Sequence, residues 1–252
     1  MPNRLGNIRK ARLEVANFEN FLHLGSITFD RYQSQEPPEP DIIAWRDGAA
    51  FGIELTNFHR QREKQIESEE DRVLERALAI YNSRRGARLL LSLMWAPHFK
   101  VCQTVREEIA EKIATLALNN TPPPNQWIIL DWNQFDRQLM CAVDHIALYA
   151  SPDGVPAHWD TGRGAVVQSW DFRSLQQELD RKKEKPKKYR RQYHETWLLI
   201  VSEFGTPSSW MEMGDPTKNS TFISTFDKVY LLSSFPLGVV ELQLADKLVS
   251  NE

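Results

Sequence analysis

The sequence predicts a soluble α/β protein, and three observations carry that prediction. Segments with apolar residues at helical spacing alternate along the 252 residues with apolar or alternating runs of strand length. The composition, with 41% hydrophobic and 26% charged residues, is typical of a globular chain rather than a disordered or fibrous one. No apolar run approaches the roughly 18–20 residues of a membrane span, so we expect no membrane partner.

The length predicts one elaborated domain over residues 1–252, since domains typically hold roughly 100–200 residues. The first ten residues carry charge but are followed by no apolar segment of a secretory signal, which favours a cytoplasmic location. Cys102 and Cys141 belong to no Cys-x-x-Cys pair, and we expect reduced, buried thiols. Nothing in the sequence excludes a homo-oligomer.

The first 95 residues contain the clearest element signals. A helical stripe ends at Gly25, a Pro-rich segment at 36–40 breaks structure, and Asp47-Gly48 is a strong hairpin signal. The predicted elements are a helix from Leu5, a strand at 26–33, paired strands at 41–45 and 50–55, a helix at 60–85 and a buried strand at 87–95.

The remaining residues continue the alternation of helices and strands. A Pro-Pro-Pro break at 122–124 is a possible subdomain boundary, but strand signals continue beyond it. We predict a helix over 105–116, strands at 127–130, 145–149, 165–170, 197–203, 228–233 and 239–244, and a helix near 172–181.

The hairpin places two acids opposite each other. A two-residue turn at Asp47-Gly48 fixes the register so that Asp41 faces Glu54, with Thr56 on the same face. Opposed carboxylates repel, so the pair is best explained by a cation or a shared proton between them. The alternative is that Asp41 is a loop acid and Glu54 points into solvent, although an apolar strand rarely holds an unpartnered charge.

The order helix, strand, strand starting at Pro40-Asp41, strand carrying Glu54-Leu55-Thr56, helix and strand resembles the core of the PD-(D/E)XK nuclease superfamily. The resemblance covers residues 5–95 and implies a restriction-endonuclease-like core (helix, three-stranded antiparallel meander, helix, strand), with residues 96–252 extending the sheet. It implies that Asp41 and Glu54 bind Mg²⁺ or Mn²⁺, joined by an acid of the first helix, with Glu14 the first candidate and Glu19 the second.

Thr56 departs from the family pattern, which has lysine at this position. Some families of this type supply a basic or amide side chain from the following helix, and Lys64 and Gln65 are the corresponding candidates here. The resemblance implies metal-assisted hydrolysis of a phosphodiester, with Lys64 adding positive charge near the attacking water. The alternative is a catalytically inactive relative that binds nucleic acid or a protein partner.

Residues 181–191 form a basic segment with eight Lys or Arg and one Glu in a chain whose net charge is −3. Such a segment suits binding along a phosphate backbone, so nucleic acid, and DNA first, is the expected partner. Tyr189 and Tyr193 either stack on bases or pack beside the strand that follows. The candidate nucleic-acid-binding residues are Lys182, Lys183, Lys187, Lys188 and Arg190.

Overall fold

A computed structural model describes residues 4–84, 87–150, 157–163, 168–202, 207–212, 219–234 and 237–245. The chain is mixed α/β and divides into two compact units. The first unit consists of Met1–His59 together with Val167–Glu252, and the second consists of Arg60–Val166. The second unit is therefore an insertion between two parts of the first. No helix among the described residues is long and apolar enough to cross a membrane.

The elements are numbered along the chain. The helices are α1 (Arg4–Gly25), α2 (Gln61–Ser83), α3 (Gln103–Asn119), α4 (Arg137–Ala142) and α5 (Phe172–Lys182). The strands are β1 (Arg31–Ser34), β2 (Ile42–Arg46), β3 (Ala49–Asn57), β4 (Leu89–Trp95), β5 (Trp127–Leu130), β6 (Val143–Ala150), β7 (His158–Arg163), β8 (Gln168–Ser169), β9 (Glu195–Val201), β10 (Met211–Glu212), β11 (Lys228–Ser234) and β12 (Leu237–Glu241).

The turn between β2 and β3 has the predicted register. Asp47 and Gly48 both have positive φ, 52° and 79°, as a type I′ hairpin turn requires. The antiparallel pairs run from Arg46 opposite Ala49 to Ile42 opposite Ile53. Asp41 directly precedes β2, so the same register continued by one residue brings it opposite Glu54. The predicted register is confirmed over Ile42–Arg46.

The first unit is built on a six-stranded sheet with the order β1-β2-β3-β9-β11-β12. β1, β2 and β3 form an antiparallel meander, and β3 pairs in parallel with β9. On one face, Phe18 and Phe21 of α1 are fully buried against an aromatic cluster that includes Trp197 and Tyr230. On the other face, Leu175 and Leu179 of α5 are buried with Leu198 and Ile200 of β9. β3 is thus a central strand with a buried middle, which explains why a charge at Glu54 needs partners.

The second unit has a four-stranded sheet with the order β5-β6-β4-β7, and its core includes buried residues of α2 and α3. The prediction that a helix at 60–85 and a strand at 87–95 complete the core differs from this topology, because β4 pairs with β6 and β7 in a separate sheet. The prediction that residues 96–252 extend the first sheet holds for β9, β11 and β12 but not for β5, β6 and β7. Consecutive strands usually belong to one sheet, whereas β3 and β4 belong to different sheets here.

The two cysteines differ from the expectation of buried thiols. Both are free and exposed. Cys102 lies at the N-cap of α3, and Cys141 lies on the short helix α4. Helix ends and short surface helices leave such side chains in solvent, so the general tendency of cysteine to be buried does not apply.

Candidate functional site

A cleft of about 340 Å³ in the first unit brings together α1, the β2–β3 hairpin and the end of α5. The two acids that the register places opposite each other both line it. Its charged lining residues are Lys10, Glu14, Asp41, Glu54, Arg181, Lys182 and Lys185.

Glu54 is a buried carboxylate, with 1% of the residue exposed. The alternative in which it points into solvent is therefore wrong. Asp41 is held next to it, because the backbone N–H of Leu55 donates to Asp41 Oδ2 at 2.8 Å. Burial, with the added repulsion of the Glu54 charge, raises the pKa of Asp41 to about 6. The two acids thus interact electrostatically in a poorly solvated place.

Glu54 has three partners from the segment that ends α5 and follows it. Lys182 Nζ lies 2.9 Å from Glu54 Oε1, and Lys185 Nζ lies 3.0 Å from the same oxygen. The Tyr189 hydroxyl donates to Glu54 Oε2 at 3.3 Å. Burial and the nearby Glu54 charge raise the pKa of Tyr189, so its phenol stays protonated and remains a donor. Two lysines about 130 positions further along the chain thus pair with Glu54, whereas the lysine nearest Asp41 is Lys10 of α1, with its Nζ 3.9 Å from Asp41 Oδ1.

Thr56 anchors α5 to β3. Its hydroxyl donates to Glu178 Oε1 at 2.6 Å, and Arg181 donates both to Thr56 Oγ1, at 2.9 Å, and to the Glu178 carboxylate. Burial alone would raise the pKa of Glu178, but the hydrogen bonds from Arg181 and Thr56 outweigh it and lower that pKa. We call Thr56, Glu178 and Arg181 the Thr56 clamp.

The clamp positions Lys182 because the spacing of residues along α5 matches the spacing along β3. Glu178 and Lys182 are four residues apart on α5, or about 6 Å along the helix axis. Their partners Thr56 and Glu54 are two residues apart on β3, or about 6.6 Å. Helix and strand therefore run antiparallel with matching spacing, so the clamp and the Lys182–Glu54 ion pair form two successive cross-links.

Thr56→Val is expected to lower the free energy of unfolding by about 1–3 kcal/mol, because it leaves a part-buried carboxylate without one of its donors. Urea denaturation of both proteins measures this difference. Thr28→Val, at an exposed position of the same unit, is the matched control and should stay within about 0.5 kcal/mol of wild type. Equal losses in the two variants would show that the clamp contributes nothing specific.

The other predicted metal and catalytic residues lie in different places. Glu14 lines the cleft and pairs with Lys10 at 2.9 Å. Glu19 instead accepts a hydrogen bond from the Tyr32 hydroxyl at 2.6 Å. Lys64 and Gln65 lie on α2 in the second unit, and Lys64 pairs with Glu67 at 3.7 Å.

The basic segment 181–191 is anchored beside the acids. Lys182 is directed to Glu54, whereas the other four candidates, Lys183, Lys187, Lys188 and Arg190, are exposed. The Tyr193 hydroxyl donates to Glu39, and its ring lies so close to Gly52 that a Cβ there would come within 3.1 Å of it. Tyr189 meets Tyr193 edge to face, with centroids 5.8 Å apart. Both tyrosines are packed and hydrogen-bonded, which favours packing over base stacking.

The cleft's donor atoms suit a hard divalent cation. Asp41, Glu54 and the Leu55 carbonyl offer only oxygen, the ligand type that Mg²⁺ and Mn²⁺ prefer. The Asp41–Glu54 repulsion that helps raise the Asp41 pKa is one that a cation would relieve. In the part of the chain that the structure describes, no three His, Cys, Asp or Glu side chains gather into a metal-binding group. A metal ion here would therefore be coordinated by Asp41, Glu54, the Leu55 carbonyl and water.

The raised pKa of Asp41 gives a pH-dependent stability. A carboxyl whose pKa is higher in the folded than in the unfolded protein contributes stability below its unfolded pKa, and this contribution is lost as the pH rises through about 6. Asp41→Asn removes the charge but keeps an acceptor for the Leu55 N–H. We expect it to be more stable than wild type above pH 6, by on the order of 1–3 kcal/mol, with the gap closing towards pH 4. Metal-free denaturation curves at several pH values measure this, and a pH-independent gap would contradict it.

No protein-family model matches the chain, and no curated protein or solved structure matches it at a significant level.

Proposed function

We propose that the protein is a divergent member of the PD-(D/E)XK nuclease superfamily that hydrolyses phosphodiester bonds in nucleic acid, DNA first, with Mg²⁺ or Mn²⁺. One observation carries the proposal. The buried Glu54 lies opposite Asp41 in a cleft and holds the ammonium group of Lys182 at 2.9 Å. Two acids and a lysine around one cleft are the residue types that metal-assisted phosphodiester hydrolysis uses.

The element order of the first unit supports this assignment once the insertion is set aside. α1, the meander β1–β3, α5 and the parallel strand β9 follow one another as helix, three antiparallel strands, helix and strand. The closing helix and strand of the proposed core are then α5 and β9 rather than residues 60–95. The lysine that the pattern lacks at Thr56 is supplied by Lys182 at the end of that helix.

Each residue has a defined task in this proposal. A divalent ion held by Asp41, Glu54 and the Leu55 carbonyl would lower the pKa of bound water and offset negative charge on the phosphate. Lys182 keeps a positive charge at the edge of the acid pair, where it stabilises charge developing on the substrate. The Tyr189 hydroxyl and the Thr56 clamp fix Glu54 and Lys182 in place. The exposed lysines and Arg190 of the basic segment bind flanking phosphates.

The direct test is incubation of labelled single-stranded and double-stranded DNA and RNA with the protein and Mg²⁺ or Mn²⁺, with a chelator as the control. We expect cleavage that depends on the metal. The same ions should raise the melting temperature, because they bind the folded site and not the unfolded chain, and Asp41→Asn should abolish that rise. No cleavage together with no thermal shift at millimolar metal would overturn the proposal.

The second candidate is an inactive nuclease-fold protein that binds nucleic acid, and one observation favours it. Both oxygens of Glu54 already have partners from the chain itself, so the buried charge is neutralised without a metal. The two candidates share the binding surface and differ only in hydrolysis.

Charge reversal of the exposed basic residues tests nucleic-acid binding, which both candidate functions require. Changing Lys183, Lys187, Lys188 and Arg190 to Glu should weaken nucleic-acid binding by at least about tenfold and flatten its salt dependence, because fewer counterions are released. Fluorescence anisotropy at several salt concentrations measures both. An unchanged salt slope would show that the segment is only a solvated surface. A steep slope in a wild type that cleaves nothing would favour the inactive protein.

A further inference from the structure

Two ammonium groups share one oxygen of Glu54, and they are held very differently. The Lys182 side chain is 13% exposed, and its Nζ also donates to the Leu55 carbonyl at 3.3 Å. It sits on the last turn of α5, one helical turn after the Glu178 of the Thr56 clamp. The Lys185 side chain is 41% exposed and lies beyond the helix, between the C-cap Lys183 and the 3-10 turn Pro186–Lys188. Losing a partly exposed ion pair costs little, whereas losing a buried one costs much.

The charge of the cleft is balanced without a metal. Arg181 is paired with Glu178, which leaves three carboxylates against three ammonium groups. These are Asp41, Glu54 and Glu14 against Lys10, Lys182 and Lys185. Adding a divalent cation therefore creates an excess of positive charge that must be relieved by the departure of an ammonium group, the arrival of an anion, or both.

We infer that Lys185 is the group that a divalent cation replaces on Glu54, and that the released ammonium then binds a phosphate of the nucleic acid. Lys185 is the easier of the two lysines to release, and it lines the cleft, so its ammonium remains within reach of a substrate there. Replacement of the Lys185 ammonium by the metal at Glu54 thus couples metal binding to the creation of a phosphate-binding site. This inference rests on the proposed function and adds to it a mobile substrate-binding residue.

The first measurement is the affinity for Mn²⁺ alone, by isothermal titration calorimetry, of wild type and three variants. Lys185→Met keeps the apolar stem and removes the competing charge, so it should bind Mn²⁺ about tenfold more tightly. Lys185→Arg keeps the charge and should stay near wild type. Lys183→Met removes an exposed charge two positions away and should change the affinity less than about twofold. Circular dichroism melts confirm that each variant is folded.

The second measurement is the affinity for a DNA duplex with hydrolysis-resistant phosphorothioate linkages, with and without Mn²⁺. Wild type should bind more tightly with the metal, and Lys185→Met should lose most of that gain, by about three- to tenfold. An unchanged or weaker Mn²⁺ affinity in Lys185→Met would overturn the exchange while leaving the proposed nuclease intact. Tighter Mn²⁺ binding with the full DNA gain retained would overturn the transfer of Lys185 to phosphate. A wild type that binds no Mn²⁺ would overturn both this inference and the proposed function.

Discussion

Glu54→Gln is expected to lower metal-dependent cleavage by at least about 10³-fold while leaving nucleic-acid affinity within about threefold of wild type. The amide keeps the shape of the side chain but removes the charge that would hold the cation in the transition state. Binding is expected to persist because the proposed function assigns the flanking phosphates to the exposed basic residues rather than to the acid. Single-turnover cleavage and anisotropy titration on the same substrate separate these two quantities.

The control is Glu36→Gln, the same substitution at an exposed residue of the same unit. It should leave both quantities unchanged, because its carboxylate has no place in the cleft. A Glu54→Gln variant that is folded and still cleaves at more than a tenth of the wild-type rate would remove Glu54 from the mechanism.

Lys182→Met is expected to lower the single-turnover cleavage rate by about 10²-fold or more without weakening Mn²⁺ binding. Methionine preserves most of the packing of the lysine stem, so the variant chiefly tests the ammonium group. Removing a positive charge from Glu54 favours a cation there, so metal affinity should stay equal or rise. This combination of slower chemistry and undiminished metal binding distinguishes an electrostatic role from general damage to the site.

Lys100→Met, at an exposed position outside the cleft, is the matched control and should retain the wild-type rate. If Lys64 instead stabilised the charge developing on the substrate, Lys64→Met would slow cleavage and Lys182→Met would not. A rate loss in Lys64→Met with a normal rate in Lys182→Met would show that Lys64 of α2, and not Lys182, is the lysine that assists hydrolysis.

The acid pair was predictable from the sequence because its geometry is local. Asp47-Gly48 sets a two-residue turn, the turn sets the register, and the register sets which residues face each other. The strand before this hairpin is misplaced by the sequence pattern, since β1 begins at Arg31 rather than at Ser26. The alternating pattern extends over residues that do not join the sheet, a common error at strand ends.

The strand over His158–Arg163 and the short helix over Arg137–Ala142 are not predicted at all. Of the strand predicted at 165–170, Gln168–Ser169 form β8, and 165–167 lie outside the described residues.

The lysine of the site was not predictable in the same way, because it depends on a contact between distant segments. Lys64 and Gln65 are the candidates that chain proximity suggests, whereas the helix whose lysine contacts Glu54 is α5, which follows the insertion of Arg60–Val166. A signal for α5 was nevertheless present. Glu178 and Lys182 lie four residues apart beside the apolar pair Leu175 and Leu179, so two charged residues border the face that must be buried. The following strand, Glu195–Val201, is an apolar run typical of a strand covered on both faces.

The insertion also governs the order in which the protein is made. Phe51 of β3 pairs with Glu195 of β9, so the strand that carries Glu54 is translated about 140 residues before its parallel neighbour. At about 5–20 residues per second, β3 is synthesised roughly 7–30 s before that neighbour. Arg60–Val166, in contrast, is one continuous stretch whose strands and helices are all synthesised in that interval. During translation the nascent first unit therefore lacks β9, β11 and β12, and Glu54 lacks both lysines, while every residue of the inserted unit has already been synthesised.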